Sequence, residues 1–276
     1  VTGKNLTQSA AFLALRAAAI ITLAVLFIII IYIMSNGLRH INTSFFLQGP
    51  TSMGRDGGIA PFIVSTLYVS AVSLVIAAPV GIGSALYLSE YSKGGLPVRI
   101  IRFCTETLAG IPSIIFGLFG FVFFVVSLGM GWSVLSGGLT LACMVLPTII
   151  KTSEEAIKTV PETYREGSMA LGATKWQTIV KVVLPVSVPG IITGIILSIG
   201  RAVGETAAVI LTAGSSLRAP VSITDPGRTM SVHLYVLTME GISNEKAFAT
   251  AAVLILFVLG INYAANKTAT FIRRKV

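Results

Sequence analysis

The sequence predicts an all-α polytopic membrane protein with six transmembrane helices. Three observations carry this. Hydrophobic residues make up 54% of the chain and charged residues only 11%, against a soluble average of about 25% charged. Apolar runs recur at the length of about 20 residues that a helix needs to cross a bilayer. The basic residues cluster in the flanks of those runs, with few inside them.

The first run, about 12 to 34, is too long for a signal-peptide core and has no small-residue cleavage site directly after it, so it reads as a span. A Gly-rich polar loop follows from Ser35 to Ala60. Spans are then expected at about 62 to 88, 107 to 128, 134 to 150, 186 to 213 and 247 to 270. The third and fourth are separated only by Gly129-Met-Gly-Trp-Ser133, a tight turn with Trp132 at interface depth. The whole chain reads as one transmembrane domain with its core at about 60 to 272. Pro79, Pro112, Pro147 and Pro189 lie in or beside spans and predict kinks, tolerated where neighbouring helices satisfy the freed carbonyls.

Basic residues in the flanks set orientation. With the amino terminus inside, Lys4, Arg16, Lys93, Arg99, Arg102, Lys151, Lys158, Arg165, Lys175, Lys181, Lys267, Arg273, Arg274 and Lys275 are cytoplasmic, which is fourteen. Arg39, Arg55, Arg218, Arg228 and Lys246, five in all, are outside. Both termini are therefore expected in the cytoplasm, together with the long segment 151 to 185. The same asymmetry accounts for the net charge of +9 without nucleic acid, and no interleaving of aromatic and basic residues suggests a single-strand binder. Cys104 and Cys143 fall at or inside spans and read as small buried apolar residues, with no disulfide or zinc spacing. His40 and His233 read as isolated loop histidines rather than metal ligands, and no metal or catalytic site is expected.

The segment 151 to 185 is amphipathic rather than membrane-spanning. Glu154, Glu155, Lys158, Glu162, Arg165 and Glu166 crowd its first part. Pro161 suits the start of a helix, with the acidic Glu162 favourable in its first turn. That helix is expected to end at Gly172, and a second short helix, Ala173 to Val183, to be broken by Leu184-Pro185. Two short helices joined at Gly172 would form a knob. The small residues Gly167, Ser168, Ala170 and Ala173 would let it enter a groove closely. Gly167 and Gly172 have the spacing of a phosphate-binding loop, but Ala173-Thr174-Lys175 follows in place of the required Lys-Ser/Thr. The chain therefore carries no nucleotide site of its own, and any chemical energy must come from a partner.

The fifth span contains Gly200-Arg-Ala-Val-Gly-Glu-Thr206, with two ionisable residues deep in apolar sequence. An arginine near the midplane costs about 2.5 to 3.5 kcal/mol on insertion scales. Arg201 and Glu205, four apart, would share one helical face and could pair. A guanidinium suits phosphate or carboxylate oxygens, so Arg201, Glu205 and Thr206 are candidate substrate-path residues. A structural ion pair is the plainer reading. The small-xxx-small pairs Gly200/Gly204 and Gly190/Gly194 are expected to pack closely on neighbouring helices.

The stretch from Glu166 to Pro185 resembles the coupling loop of permease subunits in ATP-driven bacterial importers, whose pattern is Glu-Ala-Ala, three residues, Gly, nine residues, Ile-x-Leu-Pro. Glu166, Gly172, Leu184 and Pro185 match; Val182 replaces Ile, and Gly167-Ser168 replace the two alanines. With the segment 200 to 206, and with Gly57-Gly-Ile-Ala-Pro61, Ser65-Thr-Leu67, Tyr87-Leu-Ser-Glu-Tyr91, Gly110-Ile-Pro-Ser-Ile-Ile-Phe-Gly117 and Asp225-Pro-Gly-Arg-Thr229, the chain is similar to the phosphate-specific ABC importers. It is more like their A-type than their C-type permease subunit.

The resemblance implies a type I importer fold and a bacterial inner-membrane location. It implies a docking loop built from Glu166, Gly167, Ala170, Gly172, Ala173, Leu184 and Pro185. It implies a heterodimer with a second permease, two ATP-binding subunits and an extracytoplasmic phosphate-binding protein. ATP and Mg would be used by the partner subunits, and this chain would need no cofactor. An importer for another oxyanion, molybdate or sulfate, shares the same loop. A proton-coupled secondary transporter with Glu205 as coupling carboxylate is the reading from a different class, but it leaves the segment 151 to 185 unexplained.

Overall fold

The computed structural model describes residues 2–92 and 94–273. Lys93, Arg274 and Lys275 of the basic set lie outside the described residues. The chain is helical almost throughout, as a bilayer demands of a backbone with no water to bond to. Among the described residues, five helices are long and apolar enough to cross a membrane, and six if one bent pair counts as a single span.

The first long helix, α1 (Thr2–Gly37), stands against the last, α12 (Asn244–Arg273). Gly37 allows the crossing, because a Cβ there would collide with the backbone of Phe248 and with Ala252. Tyr32 meets Phe248 edge to face nearby. The segment expected as an open loop after α1 is partly ordered. It holds a five-residue helix, α2 (Thr43–Leu47), capped by the Asn42 side chain, and a two-residue hairpin pairing β1 (Pro50–Thr51) with β2 (Asp56–Gly57).

The centre of the molecule is α3 (Ala60–Leu86) packed along α6 (Val134–Lys158). Small residues set the close approach: a Cβ at Gly81 would strike Ile149, and one at Gly138 would strike Val72. The span expected at 107 to 128 is not one straight helix. The amphipathic α4 (Leu96–Gly110) meets the apolar α5 (Ser113–Gly120) and its wide-turn extension Phe121–Ser127 at an angle of 106°. Ile111-Pro112 makes the corner, because proline pushes the preceding residue out of the helical region; Ile111 is extended at φ −73°, ψ 133°. Cys104 accordingly lies exposed on α4, and only Cys143 is partly buried. Pro79, Pro147 and Pro189 are carried inside continuous helices.

α7 (Glu162–Ala170) follows α6, then α8 (Lys175–Thr178). The expected break at Leu184-Pro185 is absent: Lys175 to Gly204 is one continuous helix of 30 residues. A wide turn at Ile179–Val183, in which the Leu184 N–H reaches back to the Ile179 carbonyl, shifts the ladder just before the proline with its missing amide. From there α9 (Leu184–Gly204) runs against α6. Gly190 and Gly194 make that contact, since a Cβ at either would collide with Ala156 or Thr152.

The fifth span ends earlier than expected. It stops at Gly204, and α10 (Ala207–Thr212) begins after a two-residue break. α10 packs on Gly117 of α5 and, with α3, α5 and α6, closes the main apolar core around Val134, Leu141, Val145, Ile149, Val209 and Ala213. A further short helix, α11 (Met230–Met239), was not visible in the sequence pattern and lies buried against α3 and α12.

Candidate functional site

Two regions carry the polar chemistry. The first is the break after α9. Glu205 has extended backbone (φ −72°, ψ 133°), so it does not continue the helical face of Arg201. The expected Arg201–Glu205 pair is not formed. Glu205 Oε1 instead accepts from the Ala208 N–H at 3.2 Å, capping α10, and the Glu205 carbonyl accepts from the Ser231 hydroxyl at 2.6 Å. Arg201, half-buried in the last turn of α9, forms no ion pair among the described residues. Thr206 is also half-buried, and its hydroxyl makes no capping bond to α10. Nothing lies within 4 Å of a Cβ built at Gly200 or Gly204. The small-residue face beside Arg201 is therefore open rather than packed, in contrast to Gly190 and Gly194 lower on the same helix.

The segment after α10 is tied to the start of α6. Its carbonyls at Ile223 and Asp225 accept from the first amides of α6, Leu135 and Val134, at 2.8 and 2.9 Å. These are donors that a helix start leaves without an intrahelical acceptor. Asp225 Oδ2 ties its own turn through the amides of Val221 and Ser222, and Thr229 caps α11. Arg228, 7% exposed, donates from Nε and Nη2 to the Ser215 carbonyl, while its Nη1 has no partner among the described residues. Desolvation lowers its pKa from the ordinary arginine value, with Glu240 opposing. His233 is not an isolated loop residue. It lies 1% exposed on α11, stacked on Phe62 with ring centroids 4.0 Å apart, and its Nδ1 has no partner among the described residues. Burial, aided by Arg228, pushes its pKa down to about 3. The other histidine, His40, sits 3.6 Å from the Glu245 carboxylate.

The second region is the knob at 159 to 183. Pro161 precedes α7 with φ −59°, ψ 141°, and Gly172 ends it in the left-handed region at φ +85°. Thr174 and Gln177 form a reciprocal capping box at the start of α8. The Ser168 and Thr178 hydroxyls, 3.0 Å apart, join α7 to α8. Of the expected docking residues, Glu166, Gly167, Ala170 and Gly172 are exposed, Ala173 is partly covered, and Leu184 and Pro185 are half-buried inside the continuous helix. The last two therefore shape the root of the knob rather than its tip. The tip carries large apolar side chains that the motif did not single out: Leu171 is 91% exposed and Trp176 61% exposed, with Tyr164 and Met169 beside them in sequence and also exposed. Exposed apolar side chains thus recur along an otherwise polar knob.

Ion pairs gather at this end, of which Glu154–Lys158, at i,i+4 spacing, is local in sequence. Arg165 joins Glu90 at 2.8 Å, and Glu154 accepts from Arg102 at 2.7 Å and Lys158 at 2.6 Å. Glu90 and Arg165 are 75 residues apart, so no local spacing could reveal them.

Comparison with known proteins agrees with this architecture. A family model described as "Binding-protein-dependent transport system inner membrane component" matches residues 77–276. The chain is 34% identical over 275 residues to "Probable ABC transporter permease protein YqgI" of Bacillus subtilis (strain 168), covering 94% of this chain and 93% of that protein. It is 38% identical over 213 residues to "Phosphate transport system permease protein PstA 1" of Mycobacterium tuberculosis (strain CDC 1551 / Oshkosh), covering 76% of this chain and 69% of that one. Among solved structures, a chain of a bacterial alginate ABC transporter in complex with its alginate-bound periplasmic protein superposes with a TM-score of 0.69 at 19% identity, covering 96% of each. A chain of the inward-facing MetNI methionine ABC transporter does so at 0.64 and 20% identity, covering 78% of this chain and 95% of that one. At such identities the likeness speaks to the fold. The chain belongs to the family of binding-protein-dependent transport system inner membrane components.

Proposed function

We propose that this chain is a permease subunit of an ATP-driven importer that moves inorganic phosphate inward, of the A type. Similarity to the phosphate permease named above supports the substrate class. The observation that carries the proposal is Arg201: a half-buried guanidinium on an open helical face, without a carboxylate partner among the described residues, beside a break in the helix. Such a group presents its donors to an anion in transit. A lone arginine holds a dianion weakly, which suits passage, and leaves tight binding to a separate extracytoplasmic protein.

In this reading the knob at 159 to 183 faces the cytoplasm with both termini, and its apolar tip docks on an ATP-binding subunit. ATP and Mg act there, and this chain has no nucleotide site of its own. The working unit is a pair of permeases with two ATPases. ATP binding closes the ATPases and moves the knobs, opening the permease pair outward, and hydrolysis returns it inward. The proton-coupled alternative loses its main support, because the Glu205 carboxylate is engaged as a helix cap.

The test is transport by the assembled complex in proteoliposomes, with phosphate, sulfate and molybdate offered in turn to their loaded binding proteins. Phosphate uptake that Arg201→Ala abolishes while leaving the complex assembled supports the proposal. Uptake of sulfate or molybdate in its place overturns the substrate, and normal phosphate uptake by the variant overturns the path.

A further inference from the structure

α7 is held to the membrane helices in an unusual way. None of its residues is buried, so apolar packing cannot fix it. Behind it lies a cavity of ≈ 530 Å³ lined by Ser89, Glu90, Pro161, Arg165, Met169 and Thr178, among others. One side chain bridges this space. Arg165 donates from Nε and Nη2 to Glu90 Oε1 at 3.1 and 2.8 Å, from Nη1 to the Val160 carbonyl at 2.6 Å, and from Nη2 to the Ile157 carbonyl at 3.1 Å. It also reaches Glu162 at 3.3 Å.

The partners belong to three different elements. Glu90 stands on the wide turn Tyr87–Tyr91 that ends α3; Ile157 lies in the last turn of α6, and Val160 in the link that follows. The Arg165 and Glu90 side chains are only 12% and 8% exposed, so solvent screens the pair little. A charged group this covered is held tightly by its partners, and removing either one leaves the other stranded. Wide turns of this kind recur at functional sites.

We propose that the Arg165–Glu90 contact is the mechanical link by which a displacement of the docking knob reaches α3 and α6, the pair of helices at the centre of the molecule. Both are positioning residues and neither touches substrate. The covalent connections of the knob run to α6 through 159 to 161 and to α9 through the continuous helix from Lys175; Val160 and Val183 at its root pack on Ala85 of α3, and the hydroxyl bond between Ser168 and Thr178 stays inside the knob. From α7 itself, whose residues are all unburied, it is Arg165 that reaches the end of α3, through Glu90. This rests on the knob being the ATPase-docking element.

The experiment is a double-mutant cycle in the reconstituted complex of both permeases, ATPases and binding protein, with Glu90→Ala, Arg165→Ala and the double variant. Copurification, ATP hydrolysis and its stimulation by loaded binding protein, and phosphate carried per ATP are read together. Each single variant should stay assembled and hydrolyse ATP, lose most of the stimulation, and carry at least tenfold less phosphate per ATP. The double variant should be no worse than the worse single, because both remove one contact. Wild-type coupling in either single, or losses that multiply in the double, overturns the link. Should an alanine variant fail to copurify, the isosteric Glu90→Gln decides in its place: lowered coupling supports the link and unchanged coupling overturns it. If the unaltered complex hydrolyses ATP but carries no phosphate, the substrate assignment falls, and the stimulation arm still reads the link.

Discussion

Arg201 and Glu205, four residues apart in sequence, do not pair, because Arg201 ends a helix and Glu205 lies in the break that follows it. The carboxylate turns forward to cap α10 through the Ala208 amide, and the guanidinium remains in the last turn of α9. Two charges that look equivalent in the sequence therefore have separate tasks. One shapes the backbone, and the other, without an ion pair among the described residues, is the group proposed to meet an anion.

This separation can be measured. Glu205→Gln keeps an oxygen acceptor for the cap and loses only the charge, so phosphate uptake should stay within a few-fold of the unaltered protein. Glu205→Ala removes the cap, with a cost of about 1 kcal/mol to the local fold, and should lower thermal stability as well as uptake. Arg201→Ala should abolish uptake with stability unchanged. If Glu205→Gln is as inactive as Arg201→Ala in the same proteoliposome assay, the carboxylate charge belongs to the path and the division fails.

The long spans and the knob were legible because each rests on local pattern: apolar length for the spans, and Pro161 and Gly172 for the ends of α7. The break at Glu205 was not. Gly204-Glu205-Thr206 has no proline, and what favours the break is the Ser231 hydroxyl on the Glu205 carbonyl, contributed from 26 residues away. α11 escaped for a similar reason, since its ten residues are too few for a span and it is apolar on all sides. Leu184-Pro185 misled in the other direction. Proline reads as a stop, but the wide turn before it lets the helix continue. The Arg165–Glu90 contact required the fold itself.

The four glycines of α9 should behave differently. A Cβ at Gly194 would collide with Thr152, so Gly194→Val should destabilise the protein by about 1 to 3 kcal/mol through overpacking. Gly200→Ala meets open space and should leave the melting temperature unchanged or raise it slightly, because alanine is the better helix former. Thermal unfolding of the purified protein in detergent compares them. Equal destabilisation by both would remove the distinction between a packed and an open end of α9.

Gly172 isolates backbone conformation from packing. It has φ +85° and nothing within 4 Å of a built Cβ, so a substitution is opposed only by the left-handed conformation, at roughly 1 to 2 kcal/mol for an ordinary residue. Gly172→Val should therefore distort the knob and lower phosphate carried per ATP several-fold. Gly172→Asn, a residue that tolerates this conformation, should recover most of the coupling. Equal coupling in the two variants would show that side-chain size at the docking surface, not backbone geometry, governs this position.

His233 gives a pH dependence whose sign follows from its burial. Its pKa in the folded protein is about 3, below the value near 6.5 of an unfolded histidine, so the unfolded chain binds the additional proton first. The stabilisation is fully present above about pH 6.5 and is lost as pH falls towards 3, at about 1.4 kcal/mol per pH unit for one group. Arg228 contributes to the shift by opposing a second positive charge beside it, and a ring nitrogen without a partner gives the imidazolium nothing to bond to. His233→Phe keeps an aromatic ring stacked on Phe62 and has no proton to take up. The melting temperature of this variant in detergent should therefore fall less steeply than that of the unaltered protein between pH 6.5 and 4.5. Gly54, which leaves room against the imidazole where a Cβ would come within 2.8 Å of Cε1, stays unaltered in both, so the difference in slope reports titration. Parallel slopes would mean that His233 either is already protonated at neutral pH or reaches solvent on acidification without unfolding.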